Sequence, residues 1–194
     1  MKHLIVYAHP KEDSFNHAIL ERTIKILEDK GDSVVVRDLY ALGFNPVLSA
    51  NDMKEIGAGE VPQDIATEQG YITDADAITV LYPIWWTSMP AILKGYFDRI
   101  FSYGFAFKYT QDGNIEGLLS DKKALLFSTQ GAPNTYYDAT GMTEAFKNTT
   151  DVGIFGFVGA EVKEHVFFGE VPTVDDAKRK EMLDIVEQTI NKHF

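Results

Sequence analysis

Four short stretches hold the residue types that could do chemistry. "HPKEDSFN" (9–16) offers His9, Ser14 and the amide of Asn16 where the chain turns from an apolar run into a helical pattern. The unpaired N–H groups of a helix start favour an anion such as a phosphate. Ordinary capping by Asp13 or Ser14 would use the same residue types. "YPIWWTSMP" (82–90) sets Trp85 beside Trp86 between two prolines. Such a turn could hold a flat conjugated ring, or the indoles could pad a core or a subunit interface, where each N–H needs a partner. "STQGAPNTYYDATG" (128–141) is rich in small and polar residues and could approach a ligand edge with backbone N–H groups. Its Tyr136 and Tyr137 could hydrogen-bond an anionic ring or pass a proton, or simply pack on a surface loop. "SYGFAFKYT" (102–110) alternates Tyr103, Phe105, Phe107 and Tyr109, which share one face if the segment is extended. That face suits a pocket for flat substrates, a dimer surface or a core.

These stretches need a frame. Five apolar runs read as strands: 4–8, 33–39, 77–82, 124–129 and 161–168. The first, third and fourth are almost unbroken, as strands buried on both faces of a parallel sheet must be. Helix patterns alternate with them. Asp13 or Ser14 opens one with Leu20, Ile24 and Leu27 on one side and Gly31 at its end. Pro90 opens a second, and a third begins near Thr173 with Asp175 and Asp176 in its first turn. The segment 43–70, with Pro46, Gly57, Gly59 and Pro62, reads as a long functional or mobile loop. Strands alternating with helices predict one α/β domain, a doubly wound parallel sheet with helices on both faces. Such sheets bind ligands at the carboxyl ends of their strands, near the switch point. In the order 2-1-3-4-5 that crevice lies between the loops that follow the first and third strands, 9–16 and 82–90.

Composition narrows the function. The chain has 194 residues, 45% hydrophobic, a net charge of −11 and no cysteine. No basic surplus is available for nucleic acid or an anionic membrane, and no thiolate, disulfide or cysteine-bound zinc is possible. The apolar run at the N-terminus is too short for a signal peptide, and no run approaches the length of a spanning helix, so a cytoplasmic protein is expected. There is no Walker A motif and no G-x-G-x-x-G. "GAGEVP" (57–62) lacks the third glycine, which argues against a dinucleotide held in the usual Rossmann manner.

Together, "YPIWWTSMPAILKGYFDRIF", "AHPKEDSFNHA", "RDLYALGFNPVLSANDM", "FAFKY" and "STQG" resemble the NAD(P)H:quinone oxidoreductases, the DT-diaphorase-like branch of the flavodoxin-like flavoproteins. The similarity runs from residue 1 to about 180, and the "PAILKGYFDRIF" stretch is its most specific part. It implies a flavodoxin-like fold with FAD, or FMN, as cofactor and NAD(P)H as hydride donor. It implies that His9, Ser14, Phe15 and Asn16 meet the flavin's phosphate and ribityl chain. Pro83, Ile84, Trp85, Trp86 and Thr87 would hold the isoalloxazine, and Ser128, Thr129, Gln130 and Gly131 its pyrimidine edge. Tyr136 matches a tyrosine beside the reacting ring, Phe107 and Tyr109 a substrate-pocket wall, and Lys178 a basic residue near an FAD phosphate. A homodimer is the family's usual state, and the acceptor would be a quinone or another flat aromatic.

Three departures stand out. The family's catalytic histidine is replaced within "YYDATGMT", leaving Tyr136, Tyr137 or water to move protons. Gln130 stands where the family has the first of two glycines. The segment before the third strand is short, which removes part of an FAD adenine site. Nicotinamide and quinone both need the open flavin face, so alternating turnover is expected. An azo- or nitro-compound reductase is a substrate variant of the same scheme. A regulatory flavoprotein subunit of an ion-efflux system and a flavodoxin-type electron carrier are the alternatives from other classes.

Overall fold

The computed structural model describes residues Met1 to Phe194. Its three central strands, β1 (Lys2–Tyr7), β3 (Ala77–Pro83) and β6 (Lys123–Thr129), are almost wholly buried, as their unbroken apolar runs require. Flanked by β2 (Ser33–Asp38) and β7 (Glu161–Phe168), they form a parallel five-stranded sheet in the order β2-β1-β3-β6-β7. This is the expected 2-1-3-4-5 order. A small antiparallel hairpin, β4 (Phe107–Tyr109) with β5 (Ile115–Gly117), is inserted before the fourth sheet strand.

Side chains alternate across the sheet and divide the core in two. Ile5, Tyr7, Leu81, Leu125 and Phe127 pack under α1 (Phe15–Asp29) and α7 (Asp176–His193). Leu4, Val6, Ile78, Val80, Tyr82 and Leu126 pack under α3 (Gln63–Asp74), α4 (Ala91–Ile100) and a π-helical segment, Lys147–Gly156. Each fully buried aliphatic or phenyl side chain contributes about 1.5–3 kcal/mol, so these two layers dominate the stability. The ends of α1 are set by sequence. Ser14 accepts the His17 N–H, and Gly31 at φ +82° lets the amides of Gly31 and Asp32 return to the carbonyls of Glu28 and Leu27.

The segment 43–70 is not a loop. It forms α2 (Ala50–Gly57) and most of α3. Ser49 and Asp52 make a reciprocal capping box at α2. Arg99, buried in α4, binds Asp52 (3.0 Å), Asp64 (2.7 Å) and the Asn45 carbonyl (3.1 Å), fixing both helices to the sheet's flank. Gly57, Gly59 and Pro62, which suggested a loop, mark the helix ends, and Pro46 packs against Gly95 of α4. The alternation in 103–109 also breaks. Gly104 turns the chain, Tyr103 returns against Phe107 and Tyr109, and Phe105 packs on the core. Two further short helices, α5 (Asn134–Ala139) and α6 (Met142–Phe146), follow β6. No helix is long and apolar enough to cross a membrane.

Candidate active site

The loops after β1, β3 and β6 meet at one end of the sheet around a cleft of about 590 Å³. Its walls include His9, Ser14, Phe15, Asn16, Pro83, Ile84, Trp85, Thr129, Gln130 and Gly131. Two backbone features fix the walls relative to one another. The Ile84 N–H donates to the Thr129 carbonyl at 2.7 Å, extending the β3–β6 pairing one residue past the sheet. The Asn16 amide donates to Thr129 Oγ1 at 2.6 Å, tying the start of α1 to the end of β6.

The first wall is built to meet an anion. Ser14, not Asp13, is the cap of α1; its oxygen is taken by His17 N–H, which leaves the amides of Phe15 and Asn16 without helical acceptors. His9 Nδ1 lies 3.1 Å from the Lys11 N–H and 3.3 Å from the Lys11 carbonyl; in the tautomer that accepts the shorter bond, the imidazole's own proton sits on Nε2. Burial holds the His9 pKa below the ordinary imidazole value, with only partial relief from the Lys11 backbone. At neutral pH His9 is therefore a neutral N–H donor. Lys11 lines the cleft as well, and Asp13 is its one carboxylate.

The second wall carries strain. Trp85 and Ser88 exchange two backbone hydrogen bonds (2.9 and 3.1 Å), closing a two-residue turn with Trp86 at φ 50° and Thr87 at φ 57°. Two consecutive non-glycine residues in the left-handed region cost of order 1–3 kcal/mol each. The turn also separates the indoles. Trp85 lines the cleft beside His9, with ring centroids 5.8 Å apart, whereas Trp86 is 98% exposed.

The third wall holds unsatisfied polar atoms. Gln130 Nε2 donates to Asn134 Oδ1 (3.0 Å) and the Ala132 carbonyl (3.3 Å), but its Oε1 is buried without a partner. Asn16 Oδ1 is buried and unpartnered too. A buried acceptor left unmade costs about 1–3 kcal/mol, so two of them in the lining of one cleft mark where a ligand's donors belong.

Other candidates lie off the cleft. Ser128 is fully buried beneath its floor. Tyr136 is exposed on α5, and Tyr137 packs on Phe146. Phe107 lies against Phe157, and Tyr109 is exposed. Lys178, paired with Glu181 at 2.8 Å, lines a separate groove with Asn134 and Glu170. Val171 and Pro172, from the chain after β7, complete the cleft. No motif pointed to them, because only the sheet order brings that segment beside Gln130.

The flavodoxin-like fold family matches residues 1–190. An uncharacterized NAD(P)H oxidoreductase of Haemophilus influenzae is 40% identical over 189 residues, spanning 97% of this chain and 93% of that protein. The NAD(P)H dehydrogenase (quinone) 1 of Rattus norvegicus is 34% identical over 83% of this chain and 66% of its own length. Among solved structures, the NAD(P)H:quinone oxidoreductase of Methanothermobacter marburgensis superposes with a TM-score of 0.87 at 31% identity, covering 97% of this chain and 96% of that one.

Proposed function

This chain belongs to the flavodoxin-like family and, within it, to the NAD(P)H:quinone oxidoreductases, and from that premise we propose that it is a flavin-dependent enzyme passing two electrons from NAD(P)H to quinones. The observation that carries the reading is the pair of orphaned acceptors, Asn16 Oδ1 and Gln130 Oε1, in a cleft walled by Trp85 and closed by a helix N-terminus. An isoalloxazine offers a flat face to Trp85 and an N–H on its pyrimidine edge to Gln130 Oε1. A ribityl hydroxyl suits Asn16 Oδ1, and a phosphate suits the Phe15 and Asn16 amides and His9 Nε2–H.

The flavin, when bound, supplies the two-electron chemistry that joins NAD(P)H oxidation to quinone reduction. The protein's residues bind and orient. Pro83, Ile84 and Trp85 would cover one side of the ring, and NAD(P)H and the acceptor would take turns at the side left open. The Gln130 N–H is taken by the Phe168 carbonyl at 2.8 Å, so the Gly131 amide is the one that would stabilise negative charge at the pyrimidine edge. Tyr136, exposed on α5, is the nearest phenol in sequence to that wall and is our candidate proton donor, with Tyr137 behind it. Thr87 and Trp86 hold the turn's shape, and Phe107 and Tyr109 form the aromatic surface that receives the flat acceptor. FAD is the proposed cofactor, with Lys178 in the next groove along β7 meeting its second phosphate; FMN would leave that groove free. The exposed rings of Trp86 and Phe157 are the surface a second copy of the chain would cover in a homodimer.

Purified protein soaked in flavin should turn yellow, and mass spectrometry of the released cofactor should give FAD. With menadione as acceptor, double-reciprocal plots should show parallel lines. Protein that stays colourless in excess FAD and FMN refutes the reading; intersecting lines refute the shared face alone.

A further inference from the structure

Beneath the cleft floor lies a polar chain that none of the roles above uses. His165, on β7, has a fully buried side chain. Its Nδ1 is 2.7 Å from Asp151 Oδ1, on the π-helical segment. Its Nε2 is 3.2 Å from Ser128 Oγ and 3.3 Å from the Tyr82 hydroxyl, and its ring stacks on Phe167 with centroids 4.0 Å apart. The direction of the bonds follows from the partners. With Nδ1–H donating to the Asp151 carboxylate, Nε2 of the neutral ring is left as the acceptor. Burial, helped by Asp151, keeps the Tyr82 phenol protonated, so the Tyr82 and Ser128 hydroxyls share the one lone pair of Nε2 as a bifurcated acceptor.

The order carboxylate, imidazole, serine hydroxyl matches a hydrolase triad in its parts, but Ser128 has no exposed surface. No acyl substrate could reach it, and the nucleophilic reading fails. Position says more. Tyr82 and Ser128 are register partners in the β3–β6 ladder, and each precedes a residue of the cleft wall, Pro83 and Thr129. One imidazole therefore joins the last buried layer of both strands that carry the ring-binding loops. The π-helical segment that supplies Asp151 is itself a rare geometry, one that recurs at functional sites.

We propose that His165, held by Asp151, is a positioning residue of the cleft: by tying Ser128 to Tyr82 it fixes the Thr129–Gly131 wall against the Pro83–Trp85 wall at the separation a flavin requires. This rests on the reading that the cleft binds flavin, and the first arm of the test checks that reading separately. Wild-type apoprotein is titrated with FAD and with FMN; if it takes up neither, the cleft reading fails and the proposal falls with it. Given uptake, His165→Phe keeps the stack on Phe167 but cannot bond Asp151, Ser128 or Tyr82. Its flavin Kd should rise about tenfold, equivalent to about 1.4 kcal/mol. The visible circular dichroism of the bound flavin should change while the far-ultraviolet spectrum stays native. His165→Gln, whose amide keeps one donor and one acceptor, should return the Kd to within about threefold of wild type and restore the visible spectrum. If His165→Phe does not fold, Ser128→Ala and Asp151→Ala each break one link and should each weaken flavin binding about three- to tenfold. A purely structural histidine would lower the unfolding temperature and leave the bound flavin's spectrum alone. Folded variants with that spectrum unchanged and a Kd within about twofold of wild type overturn the proposal.

Discussion

Replacing Gly95 by alanine sets two rules against each other. Gly95 lies inside α4, where alanine is favoured over glycine by about 1 kcal/mol, so propensity alone predicts a more stable protein. The structure predicts the reverse. A Cβ at position 95 would sit 2.1 Å from the Pro46 carbonyl oxygen, 2.4 Å from Pro46 Cβ and 2.6 Å from Pro46 Cα. Unstrained contacts need about 3.5–4.0 Å, so Pro46 must retreat by more than about 1 Å. Overpacking of this kind costs about 1–3 kcal/mol. The neighbouring Asn45 carbonyl is held by Arg99 at 3.1 Å, so the retreat also loosens a charge-assisted bond worth about 1.5–3 kcal/mol. Set against the propensity gain, the net expectation is a loss of about 2 kcal/mol, or about 4–8 °C in Tm for a domain of this size. Urea unfolding of the apoprotein, followed by far-ultraviolet circular dichroism, measures it. Because α4 starts directly after the Trp85–Ser88 turn, flavin affinity should fall with stability. An alanine variant that is more stable than wild type would refute the close-packing argument and leave helix propensity in charge.

Three further outcomes are expected. Asn16→Ala removes the bond to Thr129 and an acceptor in the cleft; flavin Kd should rise about tenfold, and Asn16→Asp, which places a carboxylate beside the phosphate site, should bind more weakly still, both read by quenching of flavin fluorescence. His3 is buried, and burial outweighs the nearby Asp32 in holding its pKa below 6.5, so the folded protein keeps it neutral while the unfolded chain protonates near 6.5. Its stability contribution is complete above pH 6.5 and is lost as pH falls below that value, so denaturant midpoints should drop from pH 7 toward 5, with a shallower slope in His3→Gln. Thr87→Gly relieves a left-handed residue worth about 1–2 kcal/mol at a glycine entropy cost of about 0.5–1 kcal/mol, so the apoprotein should gain about 0.5–1 kcal/mol in urea unfolding.

The strands were legible because each is defined by a local run. "LIVYA" or "ALLFST" can satisfy its apolar side chains only between two helical layers, whatever the rest of the chain does. The two helices within 43–70 were not legible, because what holds them is distant. Asp52 and Asp64 are polar residues on short, mixed segments, and they become fixed only when Arg99 arrives from α4, 47 and 35 residues away. The capping pair Ser49 and Asp52 was the local sign, and the surrounding glycines and prolines masked it. The tyrosine and phenylalanine alternation failed for a similar reason. A period of two implies one face only while the strand continues, and Gly104 ends it.

The site was legible in its parts and not in its balance. A chain with a net charge of −11 is a poor host for two anionic ligands if charge is summed over the molecule. Yet salt screens exposed charges beyond about 8 Å at physiological ionic strength, so what a phosphate meets is decided by its contacts. Those contacts are the Phe15 and Asn16 amides, the Nε2–H of His9 and the ammonium of Lys11. Three of the four carry no formal charge, so no charge count could reveal them. The orphaned oxygens of Asn16 and Gln130 are equally invisible in sequence, because an amide shows its missing partner only once every other neighbour is in place. The same holds for Trp85 and Trp86, which look alike in sequence: two positive φ angles send one indole to the cleft and the other to solvent. The apoprotein therefore stores both strain and unmet acceptors at one end of its sheet, and a ligand that supplies the missing donors recovers part of that free energy on binding.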